Sequence, residues 1–442
     1  MSSVFDKSPV CQQFYSDRKP IRDLRGGTVA MRKAGTTYLP KEPRETQKGY
    51  QARLERTVLT PFGSRVVKNL SSKPFARPVI VVSEGNAELA ERFSTNIDGK
   101  GASVSALAKV LFEDAFWQGT TFICVDAPLG GGDPYAYWLS ADDIVGYRMD
   151  EDLRLSEIRI RETATVDDGE WGEKSIERVR AFRKRDGRVM WSLWERGEGG
   201  DDIMIEPWQA FGLDEIPVAP VHSNPAETRG TLFCPPPLMD LCFMNIAHWQ
   251  QYSDMRHIIH VASVPILFGK GIPEECELVI GIDQAVVGSE NSDLKYVEHT
   301  GSAISTGRQA LVDLENNMAS FGIEMLQNTG AVETATGRAL KAGENNNQVA
   351  SMAAGLESAL EKVYGWMARF SRVSNPDFVV DVHKDYGINA SVEQLTALAT
   401  ARANGDLSQH DYITELKRRG VLRHDFDLQD NSDRLATEYV AA

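Results

Sequence analysis

The sequence predicts an α+β fold, mainly helical, whose strands are gathered in an antiparallel block. Three observations predict it. Residues 235–262, 305–327 and 346–371 each repeat apolar side chains at helical spacing over more than twenty positions. Residues 144–206 instead alternate apolar and charged side chains, with Ile158 and Ile160 between Arg159 and Arg161, and Val179 and Ala181 between Arg178, Arg180 and Phe182. Outside that block only short β-rich runs occur, at residues 120–125, 135–139 and 377–382.

Taken in order, residues 1–77 read as mostly helical, interrupted at Gly26-Gly27 and by Pro40 and Pro43. Leu54, Val58, Phe62, Val66 and Leu70 recur every four residues, which predicts one helical stripe running through Pro61 and ended by Pro74 and Pro78. Residues 86–118 predict helices around Gly99 and Gly101, with Leu107, Val110, Leu111, Asp114 and Ala115 on one face. A strand over 120–125, a loop at 130–134 and a strand over 135–139 follow. Within 144–206, Asp186-Gly187 ahead of Val189, Trp191 and Leu193 marks a hairpin, so the block reads as an antiparallel meander with one wet face. Residues 216–221 are short and extended.

Pro235-Pro236-Pro237 opens a long helix, since proline's missing N–H would be unpaired at a helix start in any case. Leu238, Leu241, Asn245, His248, Tyr252, Met255 and Ile259 share its face, and Val264-Pro265 stops it. Residues 264–303 are short-stranded and punctuated by glycine. The helix over 305–327 carries Leu311, Leu314, Met318, Phe321 and Met325; that over 346–371 carries Val349, Ala353, Leu356, Leu360, Val363, Met367 and Phe370. Both follow a strict 3-4 alternation, the narrow seam of helices packed side by side rather than the wider stripe of a globular core helix. Residues 328–345 are polar and read as a loop or frayed helix, and the tail from Ser391 reads as two helices joined at Gly405 and ending near Arg418-Arg419-Gly420.

The chain has 442 residues, 42% hydrophobic and 25% charged, ordinary values for a core-forming protein. No run approaches eighteen uncharged apolar residues, so no membrane-spanning helix is expected, and the polar first twenty residues hold no apolar signal core; a cytoplasmic folding site is the expectation. Cys11, Cys124, Cys234, Cys242 and Cys276 are odd in number and without paired spacing, which suits reduced thiols. The net charge of −15 argues against a protein that wraps nucleic acid, but the charge is uneven. Residues 1–77 hold 16 Lys/Arg against 6 Asp/Glu, a net of +10; the remainder holds 32 against 57, a net of −25. Two readings of the basic stretch compete: a surface for nucleic acid or an acidic neighbour, and a solvated surface of mixed salt bridges.

Motifs for chemistry are weak. His257 and His260 stand three apart on a helix and could share a metal, but the Glu of the H-E-x-x-H zinc motif is missing. Cys234 and Cys242 have no partner at ligand spacing; Gly130-Gly131-Gly132 and Phe268-Gly269-Lys270-Gly271 lack what makes a phosphate loop. The acidic pairs at 142–143, 150–152, 167–168 and 201–202 could serve metal-assisted phosphoryl chemistry, yet they fall in loops and turns where solvated acids are the rule. Arg178, Arg180, Arg183, Lys184, Arg185 and Arg188 could touch phosphates from a strand face, or pair with Glu170, Glu173 and Glu177.

Taken together, short motifs in a fixed order resemble the portal proteins of tailed bacteriophages, closest to a group once catalogued as a domain of unknown function in phage and prophage genomes. They are Tyr38-Leu39-Pro40 followed by Tyr50, Arg53, Leu54 and Arg56; Ala141-Asp142-Asp143-Ile144; Pro236-Pro237-Leu238 with Leu241 and Asn245; the run from Leu294 to Gly301; and Gly405-Asp406-Leu407-Ser408 with Arg419-Gly420-Val421-Leu422. The resemblance spans residues 35–439.

That resemblance implies a portal-type fold with long stem and spine helices, an antiparallel β-rich wing and a small α/β clip. It implies a wing over 1–234, stem helices over 235–262 and 305–327, a clip over 263–304, a tunnel loop over 328–345, a spine helix and strand over 346–387, and a small helical crown over 388–442. It implies a ring, usually of twelve subunits, at one capsid vertex of a virion assembled in the bacterial cytoplasm. The ring would be non-enzymatic and without cofactor or metal. It would pass double-stranded DNA non-specifically and dock the terminase large subunit, head-tail adaptor proteins, and the major capsid and scaffolding proteins. Arg338 and Lys341 would touch DNA from the tunnel loop, and Arg256 and Lys270 would line the lumen. An acidic body suits such a conduit, because a strongly basic one would bind the duplex tightly. The competing expectations are a metal-dependent nuclease or hydrolase built on the acidic loops or the His257/His260 pair, and another virion protein such as a minor capsid or connector protein.

Overall fold

The computed structural model describes residues 3–128, 131–197, 199–228, 230–263, 266–270, 291–297, 302–324, 348–373, 376–384, 392–419, 421–422 and 426–441. Its architecture is α+β. Three short helices open it: α1 (Pro9–Asp17), α2 (Lys19–Arg25) and α3 (Gly27–Ala34). Ser8 caps α1 by accepting from Cys11 N, with Pro9 in the first turn. Gly27, at φ +70°, lets the chain pass straight from α2 into α3.

The single helix expected across residues 50–70 is two. Helix α4 (Gln47–Arg56) ends at Thr57, which is extended, and α5 (Phe62–Ser72) begins after Pro61. Proline removes a helical N–H and keeps the residue before it out of the helical region, so the four-residue spacing could not hold across it. Val58 falls in the break and is exposed, whereas Leu54 and Leu70 are buried as expected.

Strand β1 (Ile80–Val82) precedes α6 (Ala87–Thr95) and α7 (Val104–Gln118), the helices predicted around Gly99 and Gly101. Strands β2 (Thr120–Asp126), β3 (Tyr135–Ser140), β4 (Ile144–Met149), β5 (Leu155–Asp167), β6 (Glu173–Arg185), β7 (Arg188–Arg196), β8 (Asp202–Ala210) and β9 (Val218–His222) follow. They form a three-stranded sheet in the order β3-β2-β9 and a five-stranded antiparallel meander in chain order, β4 to β8. Asp186 and Gly187 both have positive φ at the β6–β7 turn, the left-handed pair that a two-residue hairpin loop needs.

The meander does not have the predicted dry and wet faces. Ile158, Ile160, Phe182 and Trp191 pack against β2 and β9 through Phe122, Cys124 and Val218. Over the other face lies the chain's own start, with Phe5 buried against Val145 and Val179. Ser8 N donates to Val145 O, and the Arg159 guanidinium donates to the Val4 carbonyl. Arg178 and Arg180 share the face of Ile158 and Ile160, as the register β5 to β6 to β7 dictates. They are not a solvated stripe.

Helix α8 (Met239–Ala262) starts four residues later than expected, and α9 (Ser302–Glu324) three residues earlier. Between them β10 (Ile266–Lys270) and β11 (Asp293–Val297) pair antiparallel; residues 271–290, including Cys276, lie outside the described residues. Helix α10 (Gln348–Phe370) and β12 (Val379–Asp381) follow, the latter antiparallel to β1. The narrow seam predicted for α10 is too narrow: Ala350, Met352, Ala359, Tyr364, Trp366 and Ala368 are buried besides the predicted row. Small residues between the large ones let α6, α7, β2, β9 and β12 pack around it, so α10 is a core helix. Among the described residues the tail has three helices, α11 (Val392–Ala403), α12 (Gln409–Arg418) and α13 (Leu428–Ala441), one more than expected. Gly405 joins the first two at φ +83°. No described helix is long and apolar enough to cross a membrane.

Candidate functional site

Besides α10, the longest described helices are α8 and α9. Gly307 of α9 faces Met255 of α8, and Glu315 faces His248, so the two run antiparallel. A Cβ on Gly307 would come within 2.3 Å of the Met255 methyl; the glycine lets the helices approach there. Helix α5 packs on both of them, with Phe62 edge-on to the His248 ring.

On α9 only one stripe is covered. Leu311 and Met318 are buried and Leu314 and Phe321 half-buried, the predicted spacing, while Met325 lies outside the described residues. The opposite surface is exposed along its length and presents Arg308, Gln309, Asp313, Asn316, Asn317 and Ser320. Val312, 39% exposed, lies among them, and Glu315, 42% exposed, stands at their edge, so the surface is mostly polar and carries few charges. Helix α8 is different: Cys242, Ile246 and Trp249 are buried beside the predicted row.

Asn245, buried in α8, ties this pair to α5. Its Oδ1 accepts from Gly63 N at 3.1 Å and its Nδ2 donates to Thr60 O at 3.0 Å. Helix α5 has Pro61 at its N-cap position and no side-chain cap of its own, so Asn245 supplies the acceptor from across the fold.

The basic N-terminal stretch is largely consumed internally. Arg18 is buried, stacked on Phe14, and donates to Gln118 O, Cys234 O and Phe14 O; burial pushes its guanidinium down to about 9. Arg53 is buried too, with two hydrogen bonds to Glu45 and one to Pro40 O. Arg22 pairs with Asp142, Arg25 with Asp114, and Arg32 donates to Thr57 O. Lys33, Lys41, Arg44, Lys48, Arg65 and Lys68 are exposed.

Three of the six cations in the basic meander cluster are paired, but not with the expected partners. Arg178 meets Glu195, and Arg180 meets Glu162 and Asp126. Arg183 meets Glu157, and Glu177 is taken by Arg161. Burial works against the Arg180 charge, but Glu162, Tyr137 and Asp126 outweigh it and raise the pKa.

The acidic loops separate rather than converge. Asp142 and Asp143 sit where the N-terminal helices meet the meander, beside Lys7 and Arg22; burial raises both carboxyls, and the charge of Asp142 helps to bring Asp143 to about 6. Asp202 holds the chain start through Ser3 Oγ and Val4 N. Asp150 closes its own turn, and Asp167 and Asp168 lie at a hairpin tip. Both His257 and His260 are exposed on the last turns of α8. Among the described residues no three His, Cys, Asp or Glu side chains gather as a metal site would require.

Of the residues expected to line the lumen, Arg256 is exposed on α8 and Lys270 is exposed at the end of β10, opposite Asp293. Among the described residues no contact joins them. Arg338 and Lys341 lie outside the described residues.

A family model described as "Domain of unknown function (DUF4055)" matches residues 237–371. That stretch runs from α8 through α10. No curated protein matches the chain. Among solved structures, a chain from the neck of an empty gene transfer agent particle, computed with C6 symmetry, is similar at 14% identity and TM-score 0.48 over 81% of this chain and 90% of that one. A chain from the virion of the native gene transfer agent is similar at 14% identity and TM-score 0.45 over 81% and 89%. One from the neck of the native particle, computed with C12 symmetry, is similar at 13% and TM-score 0.44 over 88% and 98%.

Sequence reasoning placed Asn245 and His248 on the buried face of α8 but gave neither a partner. A polar residue in an otherwise apolar row was the available signal, since a buried amide or imidazole must find hydrogen bonds. Arg18 left no such signal; its three carbonyl acceptors come from distant segments.

Proposed function

We propose that this chain is the subunit of a portal ring in a tailed-phage-like particle, a non-enzymatic channel for DNA packaging and ejection. The observation that carries the proposal is the exposed surface of α9. A long helix held by a single seam, with a mostly polar outer surface whose one cation is Arg308, suits the wall of a conduit. Such a wall wets the duplex without neutralising phosphates, so it avoids the counterion release that makes basic surfaces bind DNA tightly. The antiparallel α8–α9 pair with a β ladder between its arms supports the assignment of stem and clip. The ordered motifs of the portal resemblance support it independently.

In this reading residues 1–234 form the wing, α8 and α9 the stem, and residues 263–304 the clip. Residues 328–345 form a tunnel loop whose Arg338 and Lys341 steady passing DNA, α10 is the spine, and α11 to α13 are the crown. Twelve subunits close a ring through one heterologous contact repeated around an axis. The ring sits at a capsid vertex of the virion and docks a terminase, capsid and scaffolding proteins, and head-tail adaptors.

Mass photometry of the purified chain tests assembly: the proposal expects one dominant species near twelve times 49.0 kDa. A protein that stays at the mass of one chain at every concentration removes it. The paired variant Arg338→Ala, Lys341→Ala should impair DNA packaging or retention and leave the assembled mass unchanged; loss of assembly would refute the tunnel-loop assignment.

A further inference from the structure

The hairpin of β5 and β6 is longer than the sheet that holds it. β4 pairs with β5 only as far as Ile160, and β7 pairs with β6 only from Arg178. The five rungs from Thr163↔Glu177 to Asp167↔Glu173 therefore have no further strand on either side among the described residues. This ribbon extends about 15 Å beyond the sheet, at ~3.3 Å per residue. At its tip Trp171 is 91% exposed. Around the tryptophan stand Asp167, Asp168, Glu170 and Glu173, with no cation between residues 167 and 173. A free two-stranded ribbon is marginal in water, and a fully exposed indole costs solvation free energy that docking recovers.

The same chain carries a surface of opposite character. Residues 24–41 contain four cations and no carboxylate; Arg25 is taken by Asp114 and Arg32 by Thr57 O, which leaves Lys33 and Lys41 exposed. Helix α3 lies along residues 57–59, because Thr28 Oγ1 accepts from Leu59 N and Arg32 donates to Thr57 O. That packing leaves Val29, 79% exposed, and Val58, 48% exposed, on the outside, with Lys33 one helical turn from Val29. The result is exposed apolar side chains with Lys33 beside them, complementary to an indole with an acidic rim.

We propose that the acidic β5–β6 arm of one copy docks Trp171 on the Val29/Val58 surface of the next copy. One contact joining two different patches is heterologous and propagates around an axis, which is what a closing ring needs. This inference rests on the ring reading and names one of its interfaces. It also gives a use to the charge asymmetry: cations left unpaired in the N-terminal stretch meet the acids of a neighbour, which favours correct partners and speeds encounter.

Fluorescence and charge exchange test it on the full chain. The spectral difference between the wild type and Trp171→Phe isolates this indole; iodide should quench it in dilute, dissociated protein and lose access to it in the assembled state. Glu170→Lys with Glu173→Lys, and separately Lys33→Glu, should each raise the assembly midpoint about fivefold, and all three together should bring it back to within about twofold. Trp171→Ala should raise the midpoint about tenfold or more, as for a central aromatic anchor. Circular dichroism should show every variant folded, since all four side chains are exposed. An assembled ring in which Trp171 stays quenchable, or in which the charge exchange brings no recovery, overturns the docking and leaves the ring intact. A wild type that never assembles overturns the ring itself.

Discussion

His248 Nε2 lies 3.0 Å from Glu315 Oε1, across the seam between α8 and α9. The histidine is 1% exposed and the glutamate 42%, so the bond runs from the core to the outside edge of the pair. Phe62 of α5 meets the imidazole edge-on and Tyr252 stacks on it, which fixes the ring where three helices meet. No protein group partners its Nδ1 among the described residues.

Replacing His248 by Ala removes a packed ring as well as the bond, and should cost about 3 kcal/mol. Glu315→Gln keeps an acceptor at the same reach and should cost under about 1 kcal/mol. Urea denaturation of both variants checks the ordering. Equal losses would mean that the hydrogen bond, rather than packing, holds this seam.

Asn245→Ala should destabilise by about 2 kcal/mol, because it leaves Gly63 N and Thr60 O without their partner inside the fold. Asn245→Asp keeps the acceptor but loses the donor and buries a charge, so it should be worse at neutral pH than the alanine variant. Thermal unfolding at pH 7 and pH 5 measures the difference, which should shrink at the lower pH.

Gly119 ends α7 at φ +83°, and a Cβ there would lie 2.2 Å from Cys234 O and 2.7 Å from the Pro235 backbone. Both obstacles are main chain and cannot swing aside. Gly119→Ala should cost about 3 kcal/mol or more through strain and overlap together. Gly307→Ala meets only the mobile end of Met255 and should cost far less. Differential scanning fluorimetry separates the two.

Asp143 gives the pH dependence a definite sign. Its carboxyl rises from 3.8 to about 6 through burial and the neighbouring Asp142. A raised acid stabilises the fold fully below the unfolded value and loses that contribution as pH rises through the folded one. Going from pH 4 to pH 7, the wild type should therefore lose on the order of 2 kcal/mol relative to Asp143→Asn. Burial pushes His222 the other way, from 6.5 down to about 4, so its contribution is present above 6.5 and lost as pH falls towards 4. The two partly cancel in the wild type. Stability of Asp143→Asn should therefore gain on the wild type as pH rises from 4 to 7; a curve parallel to the wild type would show that Asp143 is not buried as described.

Local rules made most elements legible. Alternation with an Asp-Gly turn gave the meander, and periodicity gave α7, α8, α9 and α10. Failures arose where long-range packing overrode a pattern. The four-residue stripe from Leu54 to Leu70 survived as spacing but not as a helix, because Pro61 breaks the chain regardless of what repeats around it. Arg178 and Arg180 read as a wet face from alternation alone, yet Glu195, Glu162 and Asp126 make that face buriable. The basic stretch read as a surface, although Arg18 and Arg53 are core residues, stem and head enclosed by carbonyls and a carboxylate that only the tertiary fold brings near. On α9 the seam was visible in sequence, whereas the mostly polar character of its outer surface needed to be seen on the folded helix.

Electron micrographs of the purified chain are the most direct test of a ring-forming subunit. Class averages should show closed rings with one central hole and a single dominant rotational symmetry. Particles of one-chain size without a hole, at concentrations well above those used for assembly, would contradict it.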